Sequence, residues 1–140
     1  MLKGYKYRLY PNSVQQELIE KHIGHARHIY NWALALKSKY YNETSKTLSR
    51  GELQTRLVLM KKTEKPWLKE VNSQSLLAAL FNLETAYQNF FQKRAQFPQY
   101  KKKYDSHQSF QCPQHVTVDF ENGYLHLPKI KSIRPISPFF

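Results

Sequence analysis

The chain has 140 residues, with 22 Lys plus Arg against 10 Asp plus Glu and a formal net charge of +12 at pH 7. That length allows one domain with a real core, and 14% aromatic residues exclude a disordered polar tail. The charge points first to nucleic acid and second to a membrane surface, yet no stretch reaches the ~20 apolar residues that span a bilayer. Met1-Leu2-Lys3-Gly4-Tyr5-Lys6 is no secretory signal. The single cysteine, Cys112, excludes an internal disulfide framework and a four-thiolate zinc site, and fits a reducing cytoplasm.

Tyr5, Tyr7 and Leu9 alternate with Lys6, Arg8 and Tyr10, the period of two of a strand, with Lys6 and Arg8 on its outer side. Pro11 ends it, and Asn12 or Ser13 can cap a helix. Over residues 13–41, Val14, Leu18, Ile19, Ile23, Ala26, Ile29, Tyr30, Ala33 and Leu34 form one apolar stripe at helical spacing. Gly24 interrupts it, either as a turn between two helices or as a weak point in one, costing ~1 kcal/mol relative to Ala. A bend within a bundle is preferred over a groove-reading motif. Ile29, Trp32, Leu34 and Leu36 stand where a reading helix would carry polar residues.

Residues 42–48 read as a polar turn. Ser49-Arg50-Gly51-Glu52 has the spacing of a capping box, and Leu53, Leu57 and Met60 follow on one face. Pro66, Trp67 and Leu68 form a connector. Asn72 or Ser73 then caps the strongest helix, striped by Leu76, Leu80, Leu83, Tyr87 and Phe90. Four helices are expected in this bundle. After Phe97-Pro98 the period becomes that of strands, in Ser109-Phe110-Gln111, Val116-Thr117-Val118-Asp119-Phe120 and Tyr124-Leu125-His126-Leu127. Glu121-Asn122-Gly123 is a hairpin turn and Pro128 ends the last strand. The fold class is α+β, a helical bundle inserted into a small, incomplete, wedge-like β-barrel. Residues 1–11 give the first barrel strand, 12–96 the helical bundle, 97–134 the remaining strands and 135–140 an irregular tail.

Three ordered motifs carry a family resemblance. They are Tyr7-Arg8-Leu9-Tyr10-Pro11-Asn12 running on to Gly24-His25-Ala26-Arg27-His28-Ile29-Tyr30-Asn31, then Asn82-Leu83-Glu84-Thr85-Ala86-Tyr87-Gln88-Asn89-Phe90-Phe91, then Phe97-Pro98-Gln99-Tyr100-Lys101-Lys102-Lys103. From about Lys6 to about Arg134 the chain resembles the N-terminal part of the OrfB/TnpB transposases of bacterial insertion sequences. The resemblance implies a wedge-type barrel split by a helical recognition lobe, sometimes labelled helix-turn-helix. It implies DNA and a structured guide RNA as partners, no cofactor and a prokaryotic cytoplasmic, nucleoid-associated setting. Full-length relatives are RNA-guided DNA nucleases whose catalytic carboxylates lie in a downstream RuvC-like domain. This chain is therefore expected to bind without cutting, and its tail from Ile133 departs from the family as a frameshifted or early-ended reading frame would. The competing readings are a stand-alone helix-turn-helix regulator and a decayed, inactive gene product.

The candidate contacts are Lys101, Lys102 and Lys103, flanked by Tyr100 and Tyr104. They combine phosphate-neutralising charge with rings that stack on bases. Lys6 and Arg8 add a basic strand face. Ser73 and Gln74 open a helix whose N–H groups suit phosphate, and a Gln amide can pair with adenine. Through the resemblance, that helix start and Arg50 lie toward the target duplex. His22, His25 and His28 diverge too far around a helix to share a metal and read as solvated or phosphate-facing. Asp105, Asp119 and Glu121 show no arrangement for holding Mg²⁺, so no catalytic or metal-binding residue is assigned.

Overall fold

The computed structural model describes residues 2, 4, 6–104 and 108–135. In chain order these form β1 (Leu9–Tyr10), α1 (Ser13–Thr44), α2 (Arg50–Lys62), a 3-10 turn (Pro66–Glu70), α3 (Ser73–Phe91), β2 (Thr117–Asp119), β3 (Tyr124–Leu127) and β4 (Lys131–Pro135). The strands make one antiparallel sheet in the order β1-β4-β3-β2. Because β1 pairs with β4 and every helix falls between β1 and β2, the helices are an insertion into an open, incomplete barrel.

Each α-helix begins where a side chain satisfies an orphan N–H. Asn12 and Gln15 form a capping box at 2.9 and 3.0 Å, Ser49 and Glu52 another, and Asn72 accepts from the Gln74 N–H. Asn72 is thus the cap of α3 and Ser73 its first residue, exposed to solvent. α1 closes at Ser45, in the left-handed region at φ 59°.

Two apolar clusters hold the fold. The larger joins Ile29, Ala33 and Leu34 of α1, Leu53, Leu57 and Met60 of α2, and Leu76, Leu80 and Leu83 of α3. The smaller is Leu127, Ile130 and Ile133 of the sheet region, helped by half-buried Leu18 and Ile19 from the first turns of α1. Phe110 packs against both clusters. α1 is therefore the common beam, and its length follows from serving two cores.

Several expectations need correction. The first helical block is one helix running unbroken through Gly24, so the bundle has three α-helices and a 3-10 turn among the described residues. The supposed turn over 42–48 loses its first three residues to α1, and Leu48 is fully buried in the larger cluster. Ser109-Phe110-Gln111 is no strand; Phe110 turns into the gap between the clusters. The strand over 116–120 shortens to β2, and its hairpin to β3 turns at Gly123, at φ 73°. In β1 only Leu9 and Tyr10 pair, although the alternation persists: Tyr7 and Leu9 are half-buried while Lys6, Arg8 and Tyr10 are exposed. Tyr5 lies outside the described residues. β4 runs on through Ile133 and Arg134 to Pro135, the first residue of the expected irregular tail, and Ile133 is fully buried; residues 136–140 lie outside the described residues.

Candidate nucleic-acid interface

The basic run is fastened to the bundle. The Asn31 side chain accepts from the Lys101 N–H at 2.8 Å and donates to the Lys101 carbonyl at 2.9 Å, an amide pair linking residues 70 apart in sequence. The Lys101 ammonium sits 4.7 Å from the centre of the Tyr30 ring, a cation–π contact. These contacts spare the run much of the ordering cost that a loose loop would incur on binding a strand. Burial pushes the Tyr30 phenol up, keeping it neutral under that cation.

Beside the clamp lies an open cleft of about 110 Å³ between α1, α3, Lys101, Lys102 and residues 108–111. Arg27, Lys101 and Lys102 supply cations, Phe110 an aromatic wall, and Asn82 and Gln111 amides joined at 3.4 Å. Among the described residues no carboxylate lines it. Lys102 and Lys103 are exposed, as are Tyr100 and Tyr104, and the Lys103 ammonium stands 5.7 Å from the Tyr104 ring.

The other candidates are dispersed. Lys6 and Arg8 are exposed beside β1, and Asn31 is roughly 28 Å farther along α1 at 1.5 Å per residue. Arg50 is engaged within the chain: its Nε lies 2.9 Å from Glu84 and its guanidinium 4.6 Å over Phe81. Gln74 is half-buried, its backbone N–H taken by the Asn72 cap, and Ser73 alone of that pair is exposed. The structure thus brings together Lys101 and Lys102 with Arg27, which sequence reasoning did not single out. Asn31 and Tyr30 were missed too, although both stand in a quoted motif. Spacing along the chain carries no signal for a partner 70 residues away.

Of the three helix histidines, His22 is withdrawn from solvent and His25 and His28 are half-buried. His22 is fully buried. Its Nδ1–H donates to the Leu18 carbonyl at 2.7 Å, leaving Nε2 to accept from the Asn72 N–H at 3.0 Å. This bond ties α1 to the start of α3. His25 meets Trp67 edge-on at 4.8 Å and His28 Nε2 accepts from the Lys65 ammonium at 2.9 Å. Burial is the main cause holding all three below the ordinary imidazole value. Among the described residues no three His, Cys, Asp or Glu side chains could hold a metal ion. Asp105 lies outside them, and the Asp119 carboxylate accepts from the Asn122 side chain at 2.8 Å within the hairpin. No helix of the described residues is long and apolar enough to cross a membrane.

Fold and surface together define a class: an α+β unit with a helical insertion in an open sheet and a clamped basic track. A family model described as a helix-turn-helix domain (HTH_OrfB_IS605) matches residues 1–46, which hold β1 and α1. InsQ of Escherichia coli (strain K12), named as an RNA-guided DNA endonuclease, is 37% identical over 134 residues, 95% of this chain and 33% of InsQ. A Streptomyces pristinaespiralis protein of the same description is 34% identical over 91% of this chain and 32% of its own length. Virulence protein VsdF of Salmonella dublin is 32% identical over 114 residues, 74% of this chain and 96% of VsdF. The chain belongs to the OrfB/TnpB family of insertion-sequence transposases and corresponds to its N-terminal part. It spans about a third of the length of the two endonuclease-named relatives.

Proposed function

We propose that this chain is the nucleic-acid-binding part of an OrfB/TnpB-type transposase, contacting a structured guide RNA and target DNA. The observation that carries the reading is the basic track: Lys101 clamped by Asn31, with Arg27 and Lys102 around the cleft. Lysines held in this way neutralise phosphates of any sequence and release counterions, so affinity falls steeply with salt. A groove-reading regulator is less well supported, since α1 crosses Gly24 without a turn. No cleavage step is assigned to these residues, and incubating the chain with guide RNA, a target plasmid and Mg²⁺ should leave the plasmid intact.

The test is a titration of a labelled structured RNA at several salt concentrations. If Z phosphates are neutralised, log K should fall against log salt with a slope of roughly −0.7Z to −0.9Z. Replacing Lys101, Lys102 and Lys103 by Ala should weaken binding equally for all sequences and flatten that slope by up to ~3 units, one per lost contact. Salt-independent binding, or an unchanged triple variant, would refute the assignment.

A further inference from the structure

We propose that the aromatic end of α3 is a stacking platform for unpaired bases of a single-stranded nucleic acid, an extension that rests on the nucleic-acid reading above. Four rings form one network there. Phe97 meets Tyr87 edge-on at 5.4 Å and Phe90 edge-on at 5.2 Å, while Phe91 lies 5.3 Å from Phe90 and is stacked at 6.3 Å on Tyr87. The network is not consumed by the core. Phe91 is 73% exposed and Phe97 46% exposed, and neither belongs to the buried clusters. Scattered exposed rings need no account, but four in mutual contact at a helix end form an apolar patch that leaves ring faces to solvent.

The charge around the patch selects the occupant. Residues 85–104 contain Lys93, Arg94, Lys101, Lys102 and Lys103 and no acidic residue. The Lys37 ammonium covers one side of Tyr87 at 4.8 Å, Lys93 and Arg94 follow Phe91 directly, and exposed Tyr100 leads into the clamped Lys101. Rings for bases beside cations for phosphates make up a surface for single strands. A duplex stacks its bases on one another and offers only their edges, so it gains nothing from exposed rings. A second copy of this chain would bring another +12 charge against the first.

The experiment compares a fluorescent oligoadenylate containing 2-aminopurine with a duplex of equal length, at several salt concentrations. Phe91→Ala should weaken single-strand binding by roughly 5- to 150-fold, the range expected for losing one base–aromatic stack. It should also relieve the 2-aminopurine quenching while leaving duplex affinity and salt slope unchanged. Phe91→Leu, which keeps apolar bulk without a π-face, should lose as much, and Phe91→Trp should restore binding. An unchanged single-strand affinity in both Phe91→Ala and Phe91→Leu, or an equal loss on duplex, overturns the platform. So does a dimer of the parent chain, seen by sedimentation, that Phe91→Ala dissolves. The Lys101, Lys102 and Lys103 triple variant separates the two readings. If it weakens duplex binding while Phe91→Ala changes nothing, only the platform fails; if the parent binds neither probe, both fail.

Discussion

The bundle and the sheet of this molecule are stabilised on different scales. The bundle buries 15 apolar residues from α1, α2, α3 and their connections, nearly all at helical spacing. Among the described residues the sheet region buries three, Leu127, Ile130 and Ile133, and borrows Leu18 and Ile19 from the start of α1. A four-stranded sheet with short strands covers too little apolar area to stand alone. It persists because α1 reaches past the bundle to close it, and because the Gln15 side-chain amide donates to the Ser132 carbonyl of β4. The bundle is thus the foldable unit and the sheet its dependent, a relation that substitutions can break.

The largest effect is expected in the bundle. Leu80 is 1% exposed in the middle of α3, and Leu80→Ala should cost ~2–5 kcal/mol through lost burial and a residual cavity. Against a total of ~5–15 kcal/mol the whole molecule should loosen, seen as a lower Tm and lost amide protection in both regions. Ile133→Ala removes the centre of the smaller cluster and should cost about 2 kcal/mol, the low end of the same range, because a three-residue core collapses more easily. Hydrogen exchange should then rise in β3 and β4 while α3 keeps its protection. Equal exchange in both regions would show that bundle and sheet unfold as one.

The α1–α3 contact made by His22 is expected to weaken on acidification. Burial holds His22 below the ordinary value of 6.5, with Lys129 adding to it, while the bond to Leu18 acts the other way. His25 is lowered mainly by burial with Glu70 opposing and His22 and Lys21 assisting, and His28 by burial with Lys65, His25 and Arg27. The unfolded chain therefore binds more protons than the folded one just below pH 6.5, and stability falls as pH falls. The contribution is complete above about 6.5 and is lost on acidification through the lowered native values. Protonated His22 would turn a donor toward the Asn72 N–H. Melts between pH 7.5 and about 5.5, above the range where carboxylates titrate, should show Tm dropping. His22→Gln should flatten that drop. A Tm constant across the interval would mean that the histidines are solvated after all.

What the sequence shows and what it hides divide along the same line. Local chemistry was legible: the caps at Asn12, Ser49 and Asn72, the stripe of α3 and the turn at Gly123 all follow from residues within a few positions of one another. Tertiary partners were not. Leu48 sits in a polar stretch and is fully buried, His22 looks like one of three surface histidines and joins two helices, and Ser109-Phe110-Gln111 alternates like a strand yet has none to pair with. The candidate interface shows the same split. The lysine run announces itself by composition, whereas Asn31, which fixes it in place, is defined only by a contact across 70 residues.

Gly24 offers the smallest and most discriminating test, because it lies where α1 leaves the sheet for the bundle. A helical glycine costs ~0.5–1 kcal/mol relative to Ala through backbone entropy. Its φ is not positive, and a Cβ added there would meet only the Arg27 side chain at 3.7 Å, an ordinary contact. Gly24→Ala should therefore stabilise the chain by up to ~1 kcal/mol and raise Tm on the order of 2–4 °C. A turn between two helices at this position would reverse the sign, since Ala resists the left-handed backbone that such a glycine adopts. A raised Tm with retained RNA affinity supports one continuous beam shared by both regions. A lowered Tm would return the N-terminal residues to a helix-turn-helix and detach the sheet's support from the bundle's.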